Sequence, residues 1–265
     1  MTGSWLGCII YVGKGIWGYT EISICEHPIP TNTQKGDPDL QQETLKTEEL
    51  KPEPKVLVHR PVSMVLAAHL FRFAVKLFFR IYGRGRVSGL ENIPREGALI
   101  VAPNHASDLD PILGWAFIGA VRPLWGIAKV EIWDKPVGAY MMGFMGGVPV
   151  KRGTADRTML RFVLDRLNQG EVIGVFPEGT RSRDGKLQVP QAGVGLLVQK
   201  TGARVIPVGF SGTFAMLPPG AKKLKPARLT MRVGKPMTFP QETSREEIAR
   251  QVMEAIAQLV EPEPA

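Results

Sequence analysis

The sequence predicts an α/β fold, a largely parallel central sheet flanked by helices. Two observations carry that prediction. From Arg86 onward, short β-rich runs alternate with helix-length segments, the pattern of strand–helix–strand units. Two of those runs, 98–102 and 172–176, pass directly into polar motifs, as strands do when they deliver side chains to the rim beyond their carboxyl ends. At 265 residues and 44% hydrophobic composition, the chain can build one substantial core.

Residues 1–55 stand apart. They hold five Lys against eight Asp or Glu, a net of −3, which leaves +11 for the rest of a chain whose total is +8. The stretch 28–55 is rich in Pro, Thr, Gln, Glu and Lys and poor in large apolar residues. It cannot bury enough surface to offset its ordering entropy, so 1–55 is expected to be a disordered extension. Its apolar run at 5–13 is too short to span a bilayer and lacks the basic lead of a signal peptide. Both cysteines, Cys8 and Cys25, lie here without metal-ligand spacing.

Segment 56–84 reads as an amphipathic helical element. His69, Arg72, Lys76 and Arg80 recur at spacings of three and four, which places them on one stripe of a helix over 62–82. The rest of that helix is apolar over most of its circumference. Arg72 and Lys76 interrupt it well short of the roughly 20 apolar residues of a spanning helix. A membrane-interfacial helix fits, with its basic stripe at lipid headgroups and Phe71 and Phe78 in lipid. A core helix with a solvated charged edge fits the same pattern. The basic body suits a phosphorylated ligand, an anionic membrane or nucleic acid. The aromatic-plus-basic platform of nucleic-acid binders is missing, so no nucleic-acid partner is expected.

The third segment, 85–265, is the α/β domain. Strands are expected at 98–102, 124–128, 147–150, 172–176, 205–210 and 228–233. Helices are expected at 108–120, 135–142, 155–168, 192–201 and 245–260.

The first polar motif follows strand 98–102. Ser107 reads as a helix N-cap with Asp110 three residues on, a capping box that leaves Asp110 a purely structural role. The alternative is chemical. Asp110 faces His105 and takes one ring N–H, leaving the other ring nitrogen as a proton acceptor. A histidine so placed is suited to deprotonate an alcohol. The second motif, 178–185, follows strand 172–176. Arg181 and Arg183 offer fork-shaped donors to phosphate, Gly179 permits close backbone approach, and Thr180 adds a hydroxyl. Glu178 either holds a glycerol-type hydroxyl or fixes Arg181. A polar turn with internal pairing is the bland alternative. Lys129 and Arg152 add cations at the ends of strands 124–128 and 147–150.

Four blocks stand in order along the chain: Asn-His-Ala-Ser-Asp-Leu-Asp-Pro at 104–111, Gly-Gly-Val-Pro-Val-Lys-Arg at 146–152, Phe-Pro-Glu-Gly-Thr-Arg-Ser at 176–182 and Val-Ile-Pro-Val-Gly at 205–209. Over 60–240 the sequence resembles the 1-acylglycerol-3-phosphate O-acyltransferases and the wider glycerolipid acyltransferase superfamily. That resemblance implies transfer of a fatty acyl group from acyl-CoA or acyl carrier protein to lysophosphatidic acid, giving phosphatidic acid. It implies His105 as base and Asp110 as its orienting partner, with Glu178, Gly179 and Arg181 binding the glycerol phosphate. Thr180, Lys129 and Arg152 then serve as further substrate contacts, and Pro207 shapes the pocket. Related proteins acylate other lysophospholipids, glycerol 3-phosphate or lyso-ornithine lipids. An inactive phospholipid-binding protein of the same fold is a further alternative, against which the intact His105, Asp110 and Arg181 argue. No cofactor and no metal are expected, because a thioester donor is already activated. The implied partners are the lipid bilayer, the lysophospholipid and the acyl donor. The implied location is the cytoplasmic face of a membrane, as a monotopic or peripheral protein.

Overall fold

The computed structural model describes residues 62–150 and 157–261. The expectations for 1–55, for the first residues of segment 56–84 and for Arg152 lie outside the described residues. Helix α1 (Val62–Ile81) comes first, then β1 (Arg86–Ser88), β2 (Leu99–Pro103), α2 (Leu109–Val121), β3 (Leu124–Lys129), α3 (Pro136–Met145) and β4 (Gly147–Val150). After them come α4 (Arg157–Asn168), β5 (Val172–Gly174), α5 (Gly193–Thr201), β6 (Arg204–Ser211), the short α6 (Thr213–Met216), β7 (Thr230–Val233) and α7 (Arg245–Ala257).

The seven strands form one sheet in the order β1-β7-β6-β2-β5-β3-β4. The block β6-β2-β5-β3-β4 is parallel throughout, while β7 runs antiparallel to β6 and β1 runs parallel to β7. The sheet is therefore largely parallel with a reversed pair at one edge. Its register puts Val101, Gly174 and Gly126 in one row. The chain beyond β2 and β5 thus emerges side by side, with β3 one strand further.

Both sheet faces are covered, so the inner strands read as continuous apolar runs; all five residues of β2 are buried. Leu99, Val101, Ile206, Val208 and Met231 face the core shared with α1, α2 and α3. Ile100, Ile173 and Val205, also fully buried, occupy the alternate positions. Helix α5 lies tight on the start of α7 because Gly195 has no side chain: a Cβ there would sit 2.2 Å from the Arg245 carbonyl oxygen.

One expectation about local structure is corrected, and one strand is added to those expected. Strand 172–176 ends at Gly174, because Phe176 and Pro177 open a turn closed by Gly179 N–H to the Phe176 carbonyl at 3.0 Å. Three-residue β1 carries no alternating signal of its own, and it forms because β7 offers it a partner.

A further correction concerns α1. Its buried face holds Met64, Ala68, Val75 and Phe79. Phe71 packs on Trp115 of α2 and on Phe144 of α3, with centroids at 5.9 and 5.6 Å, and Phe78 stacks on Tyr82. Both are half-buried rather than lipid-facing. The middle of the basic stripe is a seam, while His69 and Arg80 at its ends are exposed. Arg72 lies 4.4 Å from the Trp115 ring and Lys76 lies 5.5 Å from the Phe117 ring, which attracts both cations onto α2. Burial and the neighbouring Arg72 lower the Lys76 pKa. The outward surface is instead a row of apolar side chains: Val62, Leu66, Leu70, Phe73, Leu77 and Ile81, all exposed. By length and composition alone α1 is apolar enough to cross a membrane.

Candidate active site

Asp110 begins the site. It lies in the first turn of α2, fully buried, and its Oδ2 accepts three donors. Two are main-chain N–H groups, from Ala106 and Ser107, each at 2.7 Å. The third is His105 Nδ1 at 3.1 Å. An oxygen that takes two main-chain N–H groups is acting as an acceptor, so Nδ1 carries the proton and the lone pair sits on Nε2. Ser107 caps the helix start differently from a capping box. Its Oγ accepts from Leu109 N–H at 3.2 Å and donates to the Leu217 carbonyl at 2.7 Å. The structural and chemical readings of Asp110 therefore coexist on one atom. Its other oxygen, Oδ1, is buried with no hydrogen-bond partner among the described residues.

The His105 ring stacks on Phe176, with centroids 3.8 Å apart and planes at 17°. Its side chain is 12% exposed. Asn104, a residue the motif contains but spacing gives no role, closes a two-way bond to β6. Its side-chain oxygen accepts Phe210 N–H at 2.7 Å and its amide donates to the Phe210 carbonyl at 3.0 Å.

Glu178 is the main departure from expectation. It is 3% exposed, and both its oxygens are engaged by main-chain N–H groups. Oε1 accepts from His105 at 2.8 Å and Oε2 from Gln188 at 3.0 Å. It makes no pair with Arg181, which engages Asp108 instead, and its burial keeps its oxygens back from the rim. Ser182 N–H donates to the His105 carbonyl at 2.7 Å, so the turn grips His105 at both main-chain groups. Gly179 makes this possible at φ +69°, a conformation costly to other residues.

Arg181 pairs with Asp108, the residue before α2, at 2.5 Å, with side chains 31% and 63% exposed. Thr180 and Arg183 are exposed at the same turn. Lys129 ends β3 on this rim, half-buried and separated from β2 by β5, so two strand spacings, roughly 10 Å, lie between them. Pro207 is corrected. It is buried within β6, and a Cβ on Gly234 would meet its ring at 2.8 Å, so it packs there rather than lining the rim. Its carbonyl accepts Gly234 N–H at 2.9 Å, just past the end of β7. Among the described residues, no three His, Cys, Asp or Glu side chains gather as metal ligands would.

This arrangement, a His–Asp pair and an arginine-bearing turn joined at the ends of adjacent parallel strands, occurs on a fold already seen by crystallography. The crystal structure of the 1-acyl-sn-glycerophosphate acyltransferase PlsC from Thermotoga maritima superposes with a TM-score of 0.64 at 29% identity, over 74% of this chain and 79% of that one. Residues 84–211 match the family model described as Acyltransferase. Among curated relatives, it is 32% identical over 139 residues to the chloroplastic 1-acyl-sn-glycerol-3-phosphate acyltransferase of Arabidopsis thaliana, covering 51% of this chain and 38% of that one. It is 26% identical over 167 residues to the 1-acyl-sn-glycerol-3-phosphate acyltransferase of Bacillus subtilis, covering 62% of this chain and 79% of that one. The chain spans 38% to 53% of the length of the relatives from Arabidopsis, Brassica, Chlamydomonas and Borreliella.

Burial pushes the Glu178 carboxyl above its ordinary range, against the lowering effect of its two main-chain donors. A carboxyl whose folded pKa is raised binds more protons folded than unfolded. Its contribution to stability is therefore fully present below the ordinary carboxylate pKa and declines as pH rises through the raised one. Urea denaturation of the wild type and Glu178→Gln from about pH 4 to about pH 8 tests this. The stability difference, wild type minus variant, falls with rising pH; a difference that grew instead would place the charged form as the favoured one.

Proposed function

We propose that this protein transfers a fatty acyl group from a thioester donor, acyl-CoA or acyl carrier protein, to the free hydroxyl of 1-acylglycerol 3-phosphate, forming phosphatidic acid. The observation that carries the reading is the His105–Asp110 bond, which leaves Nε2 as a proton acceptor beside the arginine-bearing turn. The named activities of the Arabidopsis, Bacillus and Thermotoga relatives support it.

In this scheme His105 Nε2 takes the proton of the acceptor hydroxyl as its oxygen attacks the thioester carbonyl. Asp110 holds the ring and stabilises the imidazolium. When the tetrahedral adduct collapses, the carbon–sulfur bond breaks and the imidazolium returns the proton to the thiolate. Arg181 receives the acceptor phosphate. Its exposed pair with Asp108 is worth about 0–1 kcal/mol, so exchange for a doubly charged phosphate is favourable. Gly179, Thr180 and Lys129 complete the surroundings of that phosphate, and Arg152 is a further candidate. The scheme invokes no cofactor. The exposed apolar row of α1 seats the protein in one leaflet, so that a lipid acceptor reaches the rim without leaving the membrane.

Three outcomes follow from this scheme. Removing the base with His105→Ala lowers kcat by roughly 10²–10⁴ with a cooperative thermal melt retained; turnover at the wild-type rate sinks the mechanism. Arg181→Ala raises KM for the phosphorylated acceptor far more than for the donor, and the reverse pattern would reassign Arg181. Leu70→Asp with Phe73→Asp abolishes flotation with lipid vesicles at unchanged melting temperature, whereas undiminished flotation rules out α1 as the anchor.

A further inference from the structure

A second polar site lies at the free edge of the sheet. There β1 is the edge strand, paired only with β7. Leu229, Met231 and Val233 point into the core, so Arg228, Thr230 and Arg232 point to the opposite face. The register sets Arg86 beside Thr230 and Ser88 beside Arg232. Arg80, from the last turn of α1, completes the wall of a surface cavity of about 430 Å³. Four guanidinium groups and two hydroxyls thus share one hollow with a single carboxylate, Glu261, which Arg232 engages.

Two features of this hollow call for a ligand. Among the described residues, no carboxylate pairs with Arg80, Arg86 or Arg228. Like charges gathered this way repel, and among the described residues lining the hollow only Glu261 offsets them. Thr230 is 5% exposed, and its Oγ1 has no hydrogen-bond partner among the described residues. A buried hydroxyl without a partner is uncommon. One anion answers the first directly, by offering acceptors to the guanidinium forks, and a turn about the Thr230 Cα–Cβ bond brings its hydroxyl, screened from the hollow in this conformation, to the same anion. A tetrahedral phosphate presents oxygens toward several walls at once, which suits donors arriving from two strands and a helix end. Leu77 and Ile81, exposed on α1 either side of Arg80, mark the ligand as part of an amphiphile rather than a free ion.

We propose that this hollow binds the phosphate group of an anionic lipid headgroup, as a site separate from the one around His105. It fixes the rotation of the domain on the membrane, which an apolar helix alone leaves free. The proposal rests on α1 lying in lipid but not on acyl transfer.

The test compares binding of the full chain to phosphatidylcholine vesicles and to vesicles containing about one fifth phosphatidylglycerol. Three variants are used. Arg86→Gln with Arg228→Gln removes two charges from the hollow. Lys222→Gln with Lys223→Gln removes the same charge from a neighbouring exposed loop. Thr230→Val removes only the unpaired hydroxyl and conserves shape, so it keeps the test alive should the arginine pair fold poorly. The arginine pair loses roughly twentyfold in affinity for the anionic vesicles. The lysine pair loses clearly less, Thr230→Val loses severalfold, and all three bind neutral vesicles as the wild type does. Equal losses from the two charge pairs, with none from Thr230→Val, would reduce the hollow to part of a diffuse basic surface and overturn the proposal. Inorganic phosphate supplies the second arm. If it raised the melting temperature of the wild type but not of Thr230→Val, while vesicle binding ignored lipid charge, the ligand would be a soluble phosphate and the lipid assignment would fall. Acyl transfer in detergent is unchanged in all three variants, so this test and the test of His105 fail independently.

Discussion

One buried carboxylate holds the rim of this domain together. Glu178 spans the gap between the two loops that leave β2 and β5, and it does so through main-chain donors at His105 and Gln188. Because it grips the peptide of His105 rather than its ring, it fixes where the imidazole starts without constraining its chemistry. The bond from Ser182 to the His105 carbonyl works in the opposite direction along the same peptide. Register does the rest: the parallel pairing of β2 with β5 brings these loops to one level before any side chain acts. An ionisable group buried this way raises its own pKa, and two main-chain hydrogen bonds offset that burial only in part.

Asp110 shows how one oxygen serves a helix end and a histidine at once. Three donors converge on Oδ2 while Oδ1 goes bare. A buried acceptor without a donor costs about 1–3 kcal/mol. The three bonds to Oδ2 hold the carboxylate plane in place, since a partial turn would break those from the main chain. The imidazole is thus oriented by an atom whose own position is set by the backbone.

Much of this was legible in the sequence. The alternation of runs from Arg86 onward reported strand and helix order, because covered parallel strands are apolar throughout and easy to bound. The His105–Asp110 pair was legible because five residues across a helix start bring the two side chains together. Glu178 was not, because its partners are N–H groups, which every residue owns and no motif records. The basic stripe on α1 misled for a related reason. Spacing places Arg72 and Lys76 on one line, but whether that line meets water or the rings of Trp115 and Phe117 depends on α2, far along the chain. Pro207 came from the family resemblance alone, which cannot show that its ring fills space at the end of a neighbouring strand.

Helix α2 has a double attachment. Its first turn carries the carboxylate that aims His105, and its later turns carry the two aromatic rings on which α1 rests its cations. A packed helix moves as a rigid rod, so whatever shifts α1 also tilts the rod that aims the imidazole. A push on the outer surface of α1 is then felt at a ring nitrogen through a single piece of secondary structure, so the chemistry at the rim is mechanically tied to the first helix of the domain.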